Sequence, residues 1–460
     1  MSQGRFLMEP RVSNQDNRPI PAIGASRYLR VGAVLALAVN LLAQQPGVGN
    51  EFDSVVAYYS SAGLADAVTR LQKELSSGRT QIECEPGHGY LVSVLKKLNV
   101  PINSQVLVWS KTSSQADHTS PETPRALYFN DDVYVGWAQG DGILDVIAMD
   151  PQKGPIFFSL DQHRSASPRF VRDSSCMSCH FSNKTLNVPG LVIRSVFAKQ
   201  DGTPTAQLNS FVAGHNNPLS QRWGGWYVTG THSQDTHMGN AFLDVSLDIQ
   251  NLEHLKLQPT SNLTDLSTRF DTSKYLSASS DTVALMVLDD AVRMQNMITR
   301  ARFQALHAVH DPLLKSEPKD YRQNLIERAA EPLLAYMLFR DEAPLHGPVA
   351  GVTDFAEQFA RNGPRDGKGR SLRELDLKTR LFKYPCNYQI YSAGFDAIPK
   401  EMKDYLWKRL YEILTGLDHA PRYRGMSSED RRNVMGILLE TKHEFRAWME
   451  TRGLQTIVTQ

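Results

Sequence analysis

Residues 127–158 read LYFNDDVYVGWAQGDGILDVIAMDPQKGPIFF. The β-branched and aromatic runs Leu127–Phe129, Val133–Trp137, Ile143–Met149 and Ile156–Phe158 alternate with Asp, Gly and Pro, the pattern of short strands joined by tight turns. Val106–Trp109 is a further run of the same kind, and Gly140-Asp141-Gly142 is placed to close a hairpin. A small sheet is therefore expected. Downstream, Leu191–Ala198 reads as another strand before an Asp201-Gly202 turn. Upstream, residues 51–100 read as helical, with Val55, Val56, Tyr59, Leu64, Val68, Leu71 and Leu75 at helical spacing and then Tyr90–Leu95 before Pro101.

Beyond about residue 280 the strand signals stop. Ala284, Val287, Ala291, Met294, Ile298, Ala301 and Ala305 make one helical stripe, and Pro332 is expected to interrupt the next helix. Ser371-Leu372-Arg373-Glu374 has the form of a capping box, Pro399 opens a helix that Gly416 closes, and a last helix runs from about Ser428 to Met449. The fold class is α+β, a β-containing region followed by a mainly α-helical one.

Across the 460 residues, 50 Lys and Arg stand against 49 Asp and Glu, so there is no net field to hold nucleic acid or an anionic membrane. The composition, 41% apolar and 22% charged, is that of an ordinary globular chain. The run most apolar in character is Val31–Ala43, VGAVLALAVNLLA, preceded by Arg27 and Arg30. It is short of the roughly 20 residues that span a bilayer but has the length of a signal-peptide core behind a positive segment. Export is expected, with cleavage near Ala43; Met8 as the true start, or retention as an N-terminal anchor, are the alternatives.

Two of the four cysteines lie in Cys176-Met177-Ser178-Cys179-His180. Cys-x-x-Cys-His is the attachment signature of c-type haem: two thiols three positions apart reach the two vinyl groups of one porphyrin edge, and the next imidazole lies under the iron. Cys176 and Cys179 are thus the expected cofactor-binding residues of one covalent haem c, and His180 the proximal iron ligand. A thioredoxin-like pair would follow a buried strand in a βαβ unit, whereas short polar residues precede this motif. A structural zinc site would need a second ligand pair, and Cys84 and Cys386 are isolated. Those two could be bridged or could be free buried thiols.

The second axial ligand decides between electron transfer and catalysis and is sought among Met and His. Arg222–His232, RWGGWYVTGTH, continues to His237-Met238-Gly239-Asn240. Met238, in a Gly-rich loop near Trp223, Trp226 and Tyr227, is the expected sixth ligand. His232 is the runner-up; His237 and His215 also compete, each with the plain alternative of a hydrogen-bonded loop residue. Met286, Met294 and Met297 are expected in the core.

The chain resembles a group of uncharacterised bacterial proteins described only as cytochrome c domain-containing. The resemblance lies in residues 85–91 (EPGHGYL), 109–113 (WSKTS), 124–134 (PRALYFNDDVY) and 160–162 (LDQ). It continues through Cys176–His180, Val188-Pro189-Gly190, 222–240 and Lys383–Cys386. It implies a haem and an exported location, and it names no substrate. The expected organisation is 1–43 signal peptide or anchor, 44–280 haem-binding cytochrome c-type domain and 281–460 α-helical region. The expected function is periplasmic electron transfer with a redox partner protein; a haem enzyme of peroxidase or oxidase type with an open distal site is the alternative. A gas- or redox-sensing module is a third reading, weakened because no output domain follows the haem motif.

Overall fold

Period-two alternation sorts the strand residues onto two buried faces. The computed structural model describes residues 58–61, 63–205, 210–243, 262–311 and 314–454. The expected export segment 1–43, and Val55 and Val56 of the first helical stripe, lie outside these residues. After a helical stretch at residues 58–60 come α1 (Ala67–Ser76) and α2 (Leu91–Lys97), α1 capped by the Asp66 carboxylate accepting from the Thr69 N–H at 2.8 Å. Then come β1 (Val106–Val108), β2 (Arg125–Phe129), β3 (Val133–Trp137), β4 (Ile143–Asp150), β5 (Gly154–Asp161) and β6 (Phe170–Arg172). The residues 138–142 that join β3 to β4 include Gly140 at φ +78°, so the expected hairpin forms there.

A separate ribbon pairs β7 (Arg194–Ser195) with β8 (Phe211–Val212). β9 (Trp226–Tyr227) returns to lie beside β1, giving an antiparallel sheet of order β6-β5-β4-β3-β2-β1-β9. Leu107, Tyr128, Val135, Val146 and Phe158 face α1 and α2, against Val68, Leu71, Leu91 and Val94. Val106, Val108, Phe129, Tyr134 and Phe157 point the other way, into the helical half of the chain. With both faces covered, β3 is buried at every position, which is why VYVGW reads as a continuous apolar run.

The helix that covers this second face is α4 (Thr282–His310), numbered after the one-turn α3 (Met177–His180). Asp281 caps α4, accepting from the Val283 and Ala284 N–H groups, and its second oxygen takes the Val352 and Thr353 N–H groups. The expected stripe of α4 is buried together with most of the helix circumference, Met286 and Met294 included. Each Leu or Val so buried contributes about 1.5–3 kcal/mol. The remaining helices are α5 (Lys319–Met337), α6 (Phe355–Arg361), α7 (Ala393–Asp396), α8 (Lys400–Thr415), α9 (Ser428–Thr441) and α10 (His443–Glu450). Between them, β10 (Thr231–His232) pairs with β11 (Val349–Ala350). Helices do take over at 282, as expected, but α4 shares one hydrophobic core with the sheet, and from Tyr58 onward the chain forms one compact unit.

Four local expectations are corrected. Pro332 does not interrupt α5, because Ile326, Ala330, Leu333 and Leu334 are buried on both sides of it and tertiary packing outweighs the lost hydrogen bond. The Ser371–Glu374 box forms one of its bonds, Ser371 N–H to Glu374 Oε1 at 2.9 Å, but closes a turn, since Leu377 at φ +57° and a Leu375–Phe382 bridge turn the chain back. The last helix breaks at Lys442, whose ψ of 82° separates α9 from α10 and whose ammonium pairs with Asp396. Of the strand expected over Leu191–Ala198, Arg194–Ser195 alone pairs as a regular strand: Leu191 is taken by a side chain of α4 and Val196 donates to the Gly224 carbonyl. Pro399 and Gly416 bound α8 as expected, Gly416 at φ +82°.

Candidate functional site

The CMSCH motif follows the edge strand β6 and is entered by a tight polar turn. Asp173 accepts at Oδ1 from the Ser175 N–H and hydroxyl, and its own N–H donates to the Phe157 carbonyl at 2.9 Å, tying the turn to β5. The Cys176 carbonyl then accepts from both Cys179 N–H (3.2 Å) and His180 N–H (3.0 Å), so the five residues make one helical turn, α3. Residues three apart share a helix face, which puts both thiols on one side. Both are free, Cys176 half-buried against the core and Cys179 exposed.

His180 is held by a loop that it shares with α4. Its Nδ1 lies 2.9 Å from the Gly190 carbonyl, and its ring packs on Phe157 at 4.7 Å between centroids. A carbonyl only accepts, so Nδ1 carries the proton and Nε2 keeps its lone pair. Burial holds the imidazole below its ordinary pKa, which keeps it neutral. Metal-bound histidines are oriented by such a second hydrogen bond. Gly190 is placed by Asn296 of α4, whose side chain accepts from the Leu191 N–H at 2.9 Å and donates to its carbonyl at 2.6 Å. A Cβ on Gly190 would come within 2.6 Å of Asn296 Oδ1 and 2.8 Å of Thr185 Cβ, so glycine is needed for the approach. Replacing Asn296 with leucine should cost about 1–3 kcal/mol through the two unpartnered groups left on Leu191. Urea denaturation of Asn296→Leu would measure it, and an unchanged midpoint would show that Asn296 does not anchor the loop.

Burial, with Asp173 nearby, pushes the Cys176 thiol up to about 11. A dithiol oxidoreductase lowers the pKa of its attacking cysteine, so this electrostatic setting is the opposite of a thioredoxin-like one. Cys386 is likewise buried and its thiol pushed up to about 12; it and Cys84 are both free.

The other expected ligands fall in two separate places. Met238 is buried, and its sulfur accepts from the Ser195 hydroxyl at 3.5 Å beside Gly224, where a Cβ would meet Met238 Cε at 2.9 Å. Among the described residues no hydrogen bond or ring contact joins Met238 to the CMSCH turn. His232 and His237 stand together, ring centroids 5.1 Å apart, with Trp223 5.4 Å from His237. Trp223 and Trp226 are core walls, their indole N–H groups donating to Asp289 and to the Arg194 carbonyl.

His215 belongs to a buried cluster that the sequence reading did not find. Its Nδ1 is 2.8 Å from Asp290 Oδ1, and Asn387 donates to the other Asp290 oxygen at 2.8 Å. Its ring stacks on Tyr336 at 3.8 Å, and its Nε2 is buried without a hydrogen-bond partner. The adjacent Asp289 accepts from Trp223 Nε1 at 2.9 Å and lies 3.8 Å from the Arg222 guanidinium. Burial raises its carboxyl to about 7, and Glu342, whose charge interacts with both Asp290 and Arg222, is raised to about 7 for the same reason. The signal was present: Asp289-Asp290 interrupts the apolar run Val283–Val292 in the first third of α4.

No family profile, curated protein or solved structure matches this chain. Among the described residues no group of three or more His, Cys, Asp or Glu side chains is placed to share a metal ion, and no helix is long and apolar enough to cross a membrane.

Proposed function

We propose that the chain is an exported monohaem c-type cytochrome that carries electrons in the periplasm to or from a redox partner protein. The carrying observation is the one-turn CMSCH segment with His180 Nδ1 fixed on the Gly190 carbonyl. The residues present fit a covalent haem: Cys176 and Cys179 are free and share a face, and His180 is neutral with Nε2 available. Bound haem would supply one-electron exchange at iron. Cys176 and Cys179 would hold the haem, His180 would supply a nitrogen to its iron, and Phe157 with the Gly190 carbonyl fixes the imidazole. Met238 would be the other protein ligand to the iron; a thioether sulfur has two lone pairs, and the Ser195 hydroxyl occupies one.

Protein matured in a host with haem-attachment machinery should keep its haem through acid–acetone extraction, and the Cys176→Ser, Cys179→Ser double variant should lose all of it. Extractable haem in the wild type would end the proposal. The mature chain should begin close to Gln44 in the periplasmic fraction; an intact cytosolic N-terminus would refute export, while an intact one in the membrane favours the anchor form. Met238→Ala should lower the reduction potential and open the iron to carbon monoxide, whereas His232→Ala should change neither. An unchanged spectrum in Met238→Ala discards that ligand, and carbon monoxide binding by the wild type transfers the assignment to a peroxidase or oxidase.

A further inference from the structure

The strand register aligns one row of residues across the sheet. Leu127 lies opposite Gly136, Gly136 opposite Asp145, Asp145 opposite Ser159, and Ser159 opposite Val171. The row is on the same face as Phe129, Tyr134 and Phe157, two residues along their strands, where α4 covers the sheet and Gln295 accepts from the Tyr134 hydroxyl at 2.7 Å. That cover stops short of the row: Leu127, Asp145 and Ser159 are half-buried, and Val171 is 55% exposed.

Arg125 of β2 lies along this row. Its guanidinium crosses Gly136, where a Cβ would meet Nη2 at 2.0 Å, so the notch requires glycine. Nη2 donates to Asp145 Oδ2 at 2.9 Å and Nε donates to Gln115, while the Ser114 hydroxyl donates to the same Asp145 oxygen at 3.1 Å. The two side chains are 12% and 23% exposed, so solvent ions screen them little. The feature that borders the row is the CMSCH turn. Its His180 ring packs on Phe157, the neighbour of Ser159 on this face of β5, and β6, which carries Val171, leads directly into it. The Arg125 and Asp145 charges both act on the His180 ring, in opposite senses, and Asp145 acts on Cys176 as well. An open, partly apolar row with a fixed ion pair thus stands beside two thiols and an available imidazole nitrogen.

Resting on the haem assignment above, we propose that this row is the sheet wall of the haem site, with Leu127 and Val171 against the porphyrin, and that the Arg125–Asp145 pair sets the reduction potential of the iron. Ferric haem carries one more positive charge than ferrous haem, so a fixed cation nearby favours the reduced state and a fixed anion the oxidised one. In the wild type the two charges offset each other. Removing either leaves the other to act alone.

The test is a redox titration of full-length protein matured with haem, after covalent haem has been counted per chain as its pyridine complex. Arg125→Gln should shift the reduction equilibrium at least threefold towards the oxidised state, and Asp145→Asn at least threefold towards the reduced state. Arg125→Lys, and the double variant Arg125→Gln, Asp145→Asn, should titrate close to the wild type. Val171→Glu, which puts an anion on the wall without touching the pair, should shift the same way as Arg125→Gln. A merely structural pair would not give opposite shifts that cancel in the double variant. If Arg125→Gln fails to fold, Asp145→Asn and the double variant carry the comparison. Wild-type chains without covalent haem overturn the proposal together with the haem assignment. One covalent haem per chain with unmoved potentials, or with both single variants shifted in the same sense, overturns this proposal alone.

Discussion

Asp290→Ala should lose about 3–5 kcal/mol of stability, a fifth or more of the 5–15 kcal/mol that holds a typical domain together. The carboxylate is fully buried and accepts at both oxygens, from His215 Nδ1 and from Asn387 Nδ2, each at 2.8 Å. Truncation leaves two buried donors, His215 Nδ1 and Asn387 Nδ2, without their acceptor. His215 cannot relieve this by turning, because its ring is stacked at 3.8 Å on Tyr336 and its backbone carbonyl is held by Arg222 at 3.0 Å. Asp290→Asn, which keeps shape and one acceptor, should lose less than half as much. Urea titrations of the three proteins would check this, and equal midpoints for wild type and Asp290→Ala would show that the cluster contributes nothing.

The neighbouring carboxyl makes the opposite prediction. Asp289 ordinarily ionises near 3.8 and in the fold near 7, because burial opposes its charge more than Arg222 and Trp223 favour it. The unfolded chain therefore gives up this proton first as pH rises. Stability from Asp289 is full below pH 3.8, declines as pH rises towards 7, and stays at its lower level above that. The span of about three pH units corresponds to roughly 4 kcal/mol. Asp289→Asn removes the titration and keeps the acceptor for the indole N–H. It should stabilise the protein by about 2–3 kcal/mol at pH 8, some of the gain being offset by the loss of charge beside Arg222, and the gain should vanish below pH 4. Parallel pH profiles for the two proteins would contradict the assignment.

Much of the sheet could be read from the chain because it rests on local rules. Val133–Trp137, Ile143–Met149 and Ile156–Phe158 carry strand propensity with turn residues between them, and each forms the expected strand. The misses share one physical cause, long-range partners. Leu191 has strand composition but meets Asn296, and Pro332 should break a helix but is packed on both sides. The one-turn geometry of CMSCH was legible from its spacing. Gly190 as the partner of His180 was not, since the pairing depends on a loop shaped by α4. The approach of His232 to His237 was likewise invisible, because four residues of irregular loop lie between them.

The Asn296 clamp also sets a timetable. Leu191 and Asn296 are separated by 105 residues, so at the usual 5–20 residues per second of synthesis the CMSCH turn exists for roughly 5–20 s before its anchor is made. Through that interval the Gly190 carbonyl is not held over His180, and the two thiols belong to an unfinished, open segment. A truncation ending before Asn296 would leave Leu191 without its clamp and the Gly190 carbonyl unheld over His180.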